Sequence, residues 1–329
     1  MLMNDSYDRK IDYLRISITD RCNLRCLYCM PAEGIQRMKH SEILRYEEIE
    51  AVVRAAADLG VSKIRLTGGE PLVRPGVVDL VRILKSVPGI DNISLTTNAI
   101  LLEQFAQPLA DAGLDRVNIS IDTLDAENFK TITRLGDIEK VFAGITAAAD
   151  AGLTPIKINT VVIRGFNDHE IIDLSDWALQ RGLNLRFIEF MPVNDSSFTF
   201  DEKFISSDDI REKIFEHYPD MEPCKISGSG PAVNWRRNGD AGSLGIIEAV
   251  SHSFCSSCNR IRLTADGKLK PCLFSNEEVD LIPALRDGDL DRHEQLEKLI
   301  AEAVVRKPAS HRDFTRVNSE SRCMNEIGG

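Results

Sequence analysis

No apolar run in this chain of 329 residues approaches the ~20 that a membrane-spanning helix needs, and Met1 to Lys10 is polar and charged rather than a secretory leader. The expectation is a cytoplasmic protein with no membrane partner. A surplus of positive charge is missing as well. With 40 Lys and Arg against 51 Asp and Glu, the net charge is -11, which argues against a nucleic-acid-binding surface, because such a surface must neutralise phosphates. No Gly-x4-Gly-Lys-Ser/Thr sequence occurs, so a bound nucleotide would have its phosphates neutralised by side chains instead of cradled in a P-loop. Core-forming residues are not scarce: 43% of the chain is apolar, enough for one large domain or one and a half.

Eight cysteines are present, yet six fall into two compact trios, and without a leader a disulfide framework is not expected. The segment Cys22-Asn23-Leu24-Arg25-Cys26-Leu27-Tyr28-Cys29 spaces three thiols as Cys-x3-Cys-x2-Cys directly after an extended run, Tyr13 to Asp20. Thiolates are the soft ligands that zinc and iron-sulfur clusters select. Structural zinc wants four ligands and usually pairs of Cys-x2-Cys, whereas a 4Fe-4S cluster held by three thiolates keeps one iron open for chemistry. The second trio, Cys255, Cys258 and Cys272, is spaced Cys-x2-Cys-x13-Cys and also lacks a close fourth ligand. Here zinc completed by His252 or Cys224 is the competing reading. Cys224 and Cys323 belong to neither trio.

One unit recurs after the first trio. Ile49, Val52, Val53, Ala56 and Leu59 repeat at helical spacing and stop at Gly60, a residue type that ends helices; Lys63 to Thr67 then reads as a strand. The same order of helix, glycine and strand returns with Gly113 before Arg116 to Asp122, Gly152 before Pro155 to Val162, and Gly182 before Asn184 to Phe190. With Tyr13 to Asp20 and Asn92 to Thr97 this makes six strand candidates, each separated by enough residues for a helix. That is the pattern of right-handed βαβ units and a parallel sheet, so the predicted class is α/β. Six strands fall short of a closed barrel of eight. Pro108 is expected in the first turn of its helix, since deeper it would remove a backbone bond. Beyond Met191 the rhythm decays, and the turn-rich stretches Ser227 to Gly230 and Asn238 to Gly242 place a domain boundary near residue 222, dividing the chain into 1–222 and 223–329.

In parallel α/β barrels, ligands bind at the carboxyl ends of strands. Those ends are polar here: Cys22; Gly68, Gly69, Glu70 and Pro71; Thr96, Thr97 and Asn98; Asn118, Ser120 and Asp122; Lys157, Asn159 and Thr160; Arg186, Glu189 and Met191. Any one of these alone is better read as a cap or turn residue, but six strand ends in succession point to a site. The glycine pair would permit close backbone approach and leave a free peptide edge for a ligand's amino or carboxylate group. In the second half, Asn259-Arg260-Ile261-Arg262 would set two guanidiniums on one face if extended, and such planar forks suit phosphate oxygens. Arg15, Arg65, Lys157 and Arg186 are further candidates, expected at the barrel rim. The late cluster Arg306, Lys307, Arg312, Arg316 and Arg322 reads as a solvated tail.

The first trio after a strand, followed by Gly-Gly-Glu-Pro after the next, resembles the radical S-adenosylmethionine (SAM) superfamily. Together with the second trio, the Asn259 to Arg262 segment and the Ile327-Gly328-Gly329 end, nearly the whole chain resembles the GTP 3',8-cyclase family within it. The resemblance implies an incomplete (β/α)6 TIM-type barrel covered by a C-terminal region that carries a second 4Fe-4S cluster. It also implies two 4Fe-4S clusters and SAM as cofactors, and GTP as substrate. The implied reaction is conversion to 3',8-cyclo-7,8-dihydro-GTP by a 5'-deoxyadenosyl radical that abstracts the ribose C3' hydrogen, the first step of molybdenum cofactor biosynthesis. By the same resemblance Cys22, Cys26 and Cys29 hold the SAM cluster, and Cys255, Cys258 and Cys272 hold a cluster that anchors guanine. Tyr28, Gly69, Glu70, Ser120 and Met191 match SAM contacts, and Arg15, Arg65, Thr96, Lys157, Arg260, Ile261 and Arg262 match GTP contacts. Gly328 and Gly329 match a tail inserted towards the active site and count, with Arg260 and Arg262, among the catalytic positions. The implied partners are an electron donor and, downstream, cyclic pyranopterin monophosphate synthase, with the chain a monomer or homodimer.

Two departures stand out. Ala99 replaces the Gly that often follows Thr-Thr-Asn, which matters only if that position needs a positive φ, and Cys323 is an extra thiol. The rival enzyme reading is a radical SAM protein with an auxiliary cluster acting on a peptide or another nucleotide. The non-enzymatic rival is a zinc-stabilised interaction module.

Overall fold

Parity along the strands decides which side chains meet. In β1 (Tyr13–Ser17), β2 (Lys63–Thr67), β3 (Asn92–Thr97), β4 (Arg116–Ser120), β5 (Lys157–Val162) and β6 (Asn184–Glu189), one face is apolar: Leu14, Ile16, Ile64, Leu66, Ile93, Leu95, Val117, Ile119, Ile158, Leu185 and Phe187 are all fully buried. That face packs under α1 (Tyr46–Asp58), α2 (Val77–Lys85), α3 (Leu102–Asp111), α4 (Ala126–Thr133), α5 (Ile138–Asp150) and α6 (Ile171–Gln180). The other face carries Tyr13, Arg15, Arg65, Thr67, Asn159, Arg186 and Ile188, which line a common cavity. A computed structural model describes residues 3–191, 200–228, 230–287 and 291–311, with Arg322, Met324, Glu326 and Ile327.

The six strands pair in sequence order and in parallel, as the helix, glycine, strand rhythm predicts. Gly60 sits at φ +98°, the left-handed turn expected after α1. Two features differ from the sequence reading. Pro108 lies in the second half of α3, not its first turn, because burying Leu102, Ala106 and Leu109 on one face outweighs the backbone bond that proline removes. The second half also does more than cover the barrel. After α7 (Phe200–Lys203) and α8 (Ser207–His217) come β7 (Glu222–Cys224), β8 (Val233–Arg236), β9 (Ser243–Ile247), β10 (Arg260–Leu263), β11 (Lys268–Lys270) and β12 (Val279–Asp280). β9 adds in parallel to β6, and β10 adds in parallel to β1, so eight adjacent strands share one direction. Antiparallel β8 and β7 extend one edge, and β11 and β12 the other. The fold is an incomplete (β/α)6 TIM-type barrel lengthened at both edges by C-terminal strands. α9 (Ile282–Arg286) and α10 (Arg292–Val305) are the last helices among the described residues, with Arg286 Nε donating to Glu48 on α1 at 2.9 Å.

Candidate active site

The loop of the first trio is held from three sides. Arg25 N–H and Leu27 N–H donate to the carbonyls of Thr133 and Ile132 at the end of α4, at 3.0 and 2.9 Å. Arg134, at φ +63°, returns the favour with its guanidinium on the carbonyls of Arg25 (2.8 Å) and Met30 (3.1 Å). From below, Gly69 N–H donates to Thr19 O and Glu70 N–H to Arg21 O, both at 2.8 Å. A Cβ on Gly68 would stand 2.5 Å from the Thr19 carbonyl oxygen, and one on Gly69 would collide with the Arg21 carbonyl. The glycines are therefore required for close approach of chain to chain, and the N–H groups of Gly69 and Glu70 are taken by the Thr19 and Arg21 carbonyls rather than left for a ligand.

Both trios line a single cavity of about 310 Å³. A mononuclear zinc with 2.3 Å bonds to sulfur draws its thiolates to about 3.8 Å from one another. Among the described residues neither trio brings three ligand atoms within 4.8 Å of one another, the only such group being Asp58, His293 and Glu297 on the outer surface. An all-sulfur donor set at wider spacing fits a polynuclear cluster at each end. Burial pushes the Cys22 thiol up to about 11 and Cys26 well above the usual range, so both thiolates need a cation beside them. At the second trio burial also opposes ionisation. Hydrogen bonds from His311 and Ser253 outweigh it and bring Cys255 down to about 6, and Arg260 with Lys307 brings Cys258 down to about 7.

Between the trios runs a band of buried cations. Strand register makes Arg262, Arg15 and Arg65 direct neighbours on β10, β1 and β2, and continues through Ser94 to Arg116 on β4. Arg186 on β6 and Lys157 on β5 carry the charge round, both 4% exposed. Burial followed by the other guanidiniums lowers the pKa of Lys157 to about 7, of Arg186 to about 9 and of Arg262 to about 10, and takes Arg15 well below its ordinary value. Among the described residues Arg65, Arg116, Lys157 and Arg186 pair with no carboxylate. Thr96 Oγ1, Asn159 Oδ1 and Arg186 Nε are buried in the cavity wall with no hydrogen-bond partner. Like charges packed this closely in a dry wall cost the fold stability that a polyanion between them would restore.

The cavity gathers most of the positions picked from sequence: Cys22, Cys26, Cys29, Tyr28, Gly69, Glu70, Ser120, Met191, Arg15, Arg65, Thr96, Arg260, Arg262, Cys255, Cys258 and Cys272 all line it. Several expectations change in detail. Arg15, Arg65 and Arg186 are not at the rim but at mid-strand, and Lys157 is the first residue of β5, at the barrel floor under the Ser227 carbonyl that its Nζ bonds. A second hollow there is bordered by Lys63, Arg116, Ser227 and Gly228. Ile261 points the other way from its arginine neighbours and is fully buried in the core, as strand alternation requires, so its side chain does not reach the cavity. Glu70 spends its carboxylate on Leu72 N, Thr97 Oγ1 and Asn98 N, building the turn after β2. Ala99 does sit at φ +62°, a conformation that glycine takes without strain, so that departure matters to the backbone. Gly328, Gly329, Cys323, Arg312 and Arg316 lie outside the described residues. Arg322 and Lys307 are not solvated: Arg322 forks onto Asp266 and Glu278, and Lys307 is 3% exposed.

Three residues take roles that the sequence reading does not give them: Asp122 and Asn98 figure there only as polar strand ends, and His311 not at all. Asp122, buried and pushed up to about 6, accepts the Tyr28 hydroxyl at 2.6 Å beside the first trio. Asn98 Nδ2 donates to Asn23 within the cysteine loop at 2.8 Å. His311 stands 3.2 Å from the Cys255 sulfur, whereas His252 pairs with exposed Asp208 and Cys224 lies on β7 outside the cavity wall. No spacing motif marks His311.

Residues 16–178 match the family model of the Radical SAM superfamily, and residues 183–313 match that of Molybdenum Cofactor Synthesis C. The GTP 3',8-cyclase of Moorella thermoacetica is 49% identical over 328 residues, covering 99% of this chain and 100% of that one. That of Pelotomaculum thermopropionicum is 48% identical over the same length and coverage. Among solved structures, Streptococcus suis SuiB matches with a TM-score of 0.65 at 15% identity, covering 94% of this chain and 69% of its own. Native anSMEcpe with bound AdoMet gives 0.60 at 16%, covering 91% and 82%. At such identities these structures speak to the fold. With near-half identity end to end, two family models in series and two open thiol trios facing one cationic chamber, the chain belongs to the GTP 3',8-cyclase family of radical SAM enzymes.

Proposed function

We propose that this cavity binds SAM against the first trio and GTP between the trios, and that the chain is a GTP 3',8-cyclase acting in molybdenum cofactor biosynthesis. Two 4Fe-4S clusters fit the donor sets, one on Cys22, Cys26 and Cys29, the other on Cys255, Cys258 and Cys272. Cys22, Cys26 and Cys29 would hold the first cluster with an open iron for SAM, and the pair would supply a 5'-deoxyadenosyl radical for the ribose C3' hydrogen of GTP; joining C3' to guanine C8 then takes one further electron and a proton to give 3',8-cyclo-7,8-dihydro-GTP.

The chain's own residues supply the rest. Tyr28, Gly69, Ser120 and Met191 border the first trio and hold SAM, with Asp122 and Asn98 fixing Tyr28 and the cysteine loop. Arg15, Arg65, Arg262, Lys157 and Arg186 neutralise the triphosphate, and Arg260 and Thr96 contact the nucleoside. A primary alkyl radical attacks whatever it meets, so the wall must hold the target carbon in contact and keep water out. Lining the chamber from both halves, 1–222 and 223–329, serves that end. The enzyme works in the cytoplasm as a monomer or homodimer, takes its electrons from an electron donor and hands its product to cyclic pyranopterin monophosphate synthase.

The observation that carries this reading is the convergence of both trios with Arg15, Arg65, Arg186, Arg260 and Arg262 on one cavity. Reconstituted protein given SAM, reductant and GTP should yield the cyclised nucleotide. Cys255→Ala should keep SAM binding and lose cyclisation, and normal turnover by that variant would sink the second-cluster assignment.

A further inference from the structure

The roof over the second trio is the chain just after α10. Buried Lys307 donates through Nζ to the carbonyls of Arg260 and Pro271, each at 2.8 Å, close to Cys258 and Cys272 in sequence. From the other end of the chain Arg9 donates through Nη1 to the Cys255 carbonyl (2.7 Å) and the Ala309 carbonyl (3.1 Å), and through Nη2 to the Pro308 carbonyl (2.6 Å). Its Nε is held by fully buried Asp5 at 2.6 Å. These bonds press the segment from Lys307 to His311 against the trio. They set the His311 backbone N–H 3.4 Å, and its ring Nδ1 3.2 Å, from the Cys255 sulfur. The imidazole stacks on Phe274 with ring centroids 4.7 Å apart, which fixes the direction of Nδ1.

We infer that His311 is a positioning residue for the second cluster, directing two N–H donors of one residue onto a single ligand sulfur. The inference rests on the reading of Cys255 as a cluster ligand. A ligating thiolate carries no hydrogen and can only accept, so the shared hydrogen belongs to Nδ1. Hydrogen bonds to cluster sulfurs stabilise the more negative, reduced form and raise the reduction potential; they also fix how the ligand presents the cluster. His311 would thereby tune the electron density of a cluster held on Cys255 and fix how that ligand presents it.

The test uses the full chain with both clusters reconstituted. His311→Phe keeps the stacking and removes the ring donor. His311→Asn restores an N–H one bond from Cγ, where Nδ1 stood. Iron and sulfide content, and the midpoint potential of the cluster whose EPR signal responds to GTP, are read in dithionite titrations. The expected result is a midpoint shifted to more negative potential in the Phe variant and returned towards wild type in the Asn variant. Should the Phe variant fail to load the second cluster, Asn must restore loading. Equal potentials in all three proteins, or an Asn variant no better than Phe, would overturn the inference. Retention of all the iron by Cys255→Ala would instead overturn the ligand assignment beneath it.

Discussion

Replacing Lys157 by Met should make the unliganded enzyme more stable while weakening its hold on GTP. The side chain is 4% exposed, and burial followed by Arg186, Arg116 and Arg65 lowers its pKa from 10.5 to about 7. At 1.36 kcal/mol per pH unit that fall places an upper bound of about 5 kcal/mol on what the buried ammonium costs the fold. Losing the bond from Nζ to the Ser227 carbonyl and local relaxation leave an expected gain of about 2 kcal/mol. For a protein of this length, at about 2.1 cal/mol/K of unfolding entropy per residue, that is a rise of about 3 °C in Tm. The pH dependence has a definite sign. The unfolded chain keeps the proton up to 10.5 and the folded chain only to about 7, so the wild type's stability rises with pH across that window, and the full cost is present below it. The variant's advantage should therefore be greatest near pH 6 and shrink as the pH approaches 10. Calorimetry of the reconstituted protein without nucleotide reads this directly, and GTP titration should show binding weaker by about 10- to 100-fold, as for one lost charge-assisted bond. A variant that melts lower than wild type near pH 6, or binds GTP as tightly, would refute the account of the cationic wall.

Gly69→Ala should displace the loop from Thr19 to Asn23, because its Cβ would stand 2.3 Å from the Arg21 carbonyl oxygen, a backbone atom that can yield only if the loop moves; iron analysis should find about four of about eight irons lost. Tyr28→Phe removes a hydrogen bond that holds Asp122 down at about 6 against burial, so the Asp122 pKa should rise further. The acid limb of the pH profile for SAM cleavage should then move up by about one pH unit. Arg322→Ala frees the segment that carries Ile327, whose carbonyl accepts from Arg262 at 3.3 Å. With the ion pairs partly exposed the loss is about 1.5 kcal/mol, or about tenfold faster release of the C-terminal residues by carboxypeptidase, with both clusters intact.

Local chemistry was written plainly in the sequence. Two cysteine spacings, the glycine pair after Thr67, and four glycines each closing a helix before a strand are short-range signals, and they suffice for six parallel strands and two cluster loops. Alternation within Arg260-Ile261-Arg262 likewise tells that the arginines share a face, although the resemblance that put Ile261 with them ran against that alternation. What lay beyond reach was whatever depends on register and closure between distant segments. β9 and β10 join the parallel sheet without an α-helix before them, so no periodicity announced them. The neighbouring places of Arg262, Arg15 and Arg65 come from strand register, which parity narrows but does not determine. Arg9 and Cys255 meet across 246 positions of chain, and His311 reaches the same cysteine from 56 positions away. Residue order alone therefore determined what the loops bind and which way each strand faces, since those follow from side-chain chemistry and backbone period. Only the assembled sheet decided that two cysteine trios, a row of guanidiniums and one histidine share a chamber, because that is settled by the burial of the whole core and by no local stretch of it.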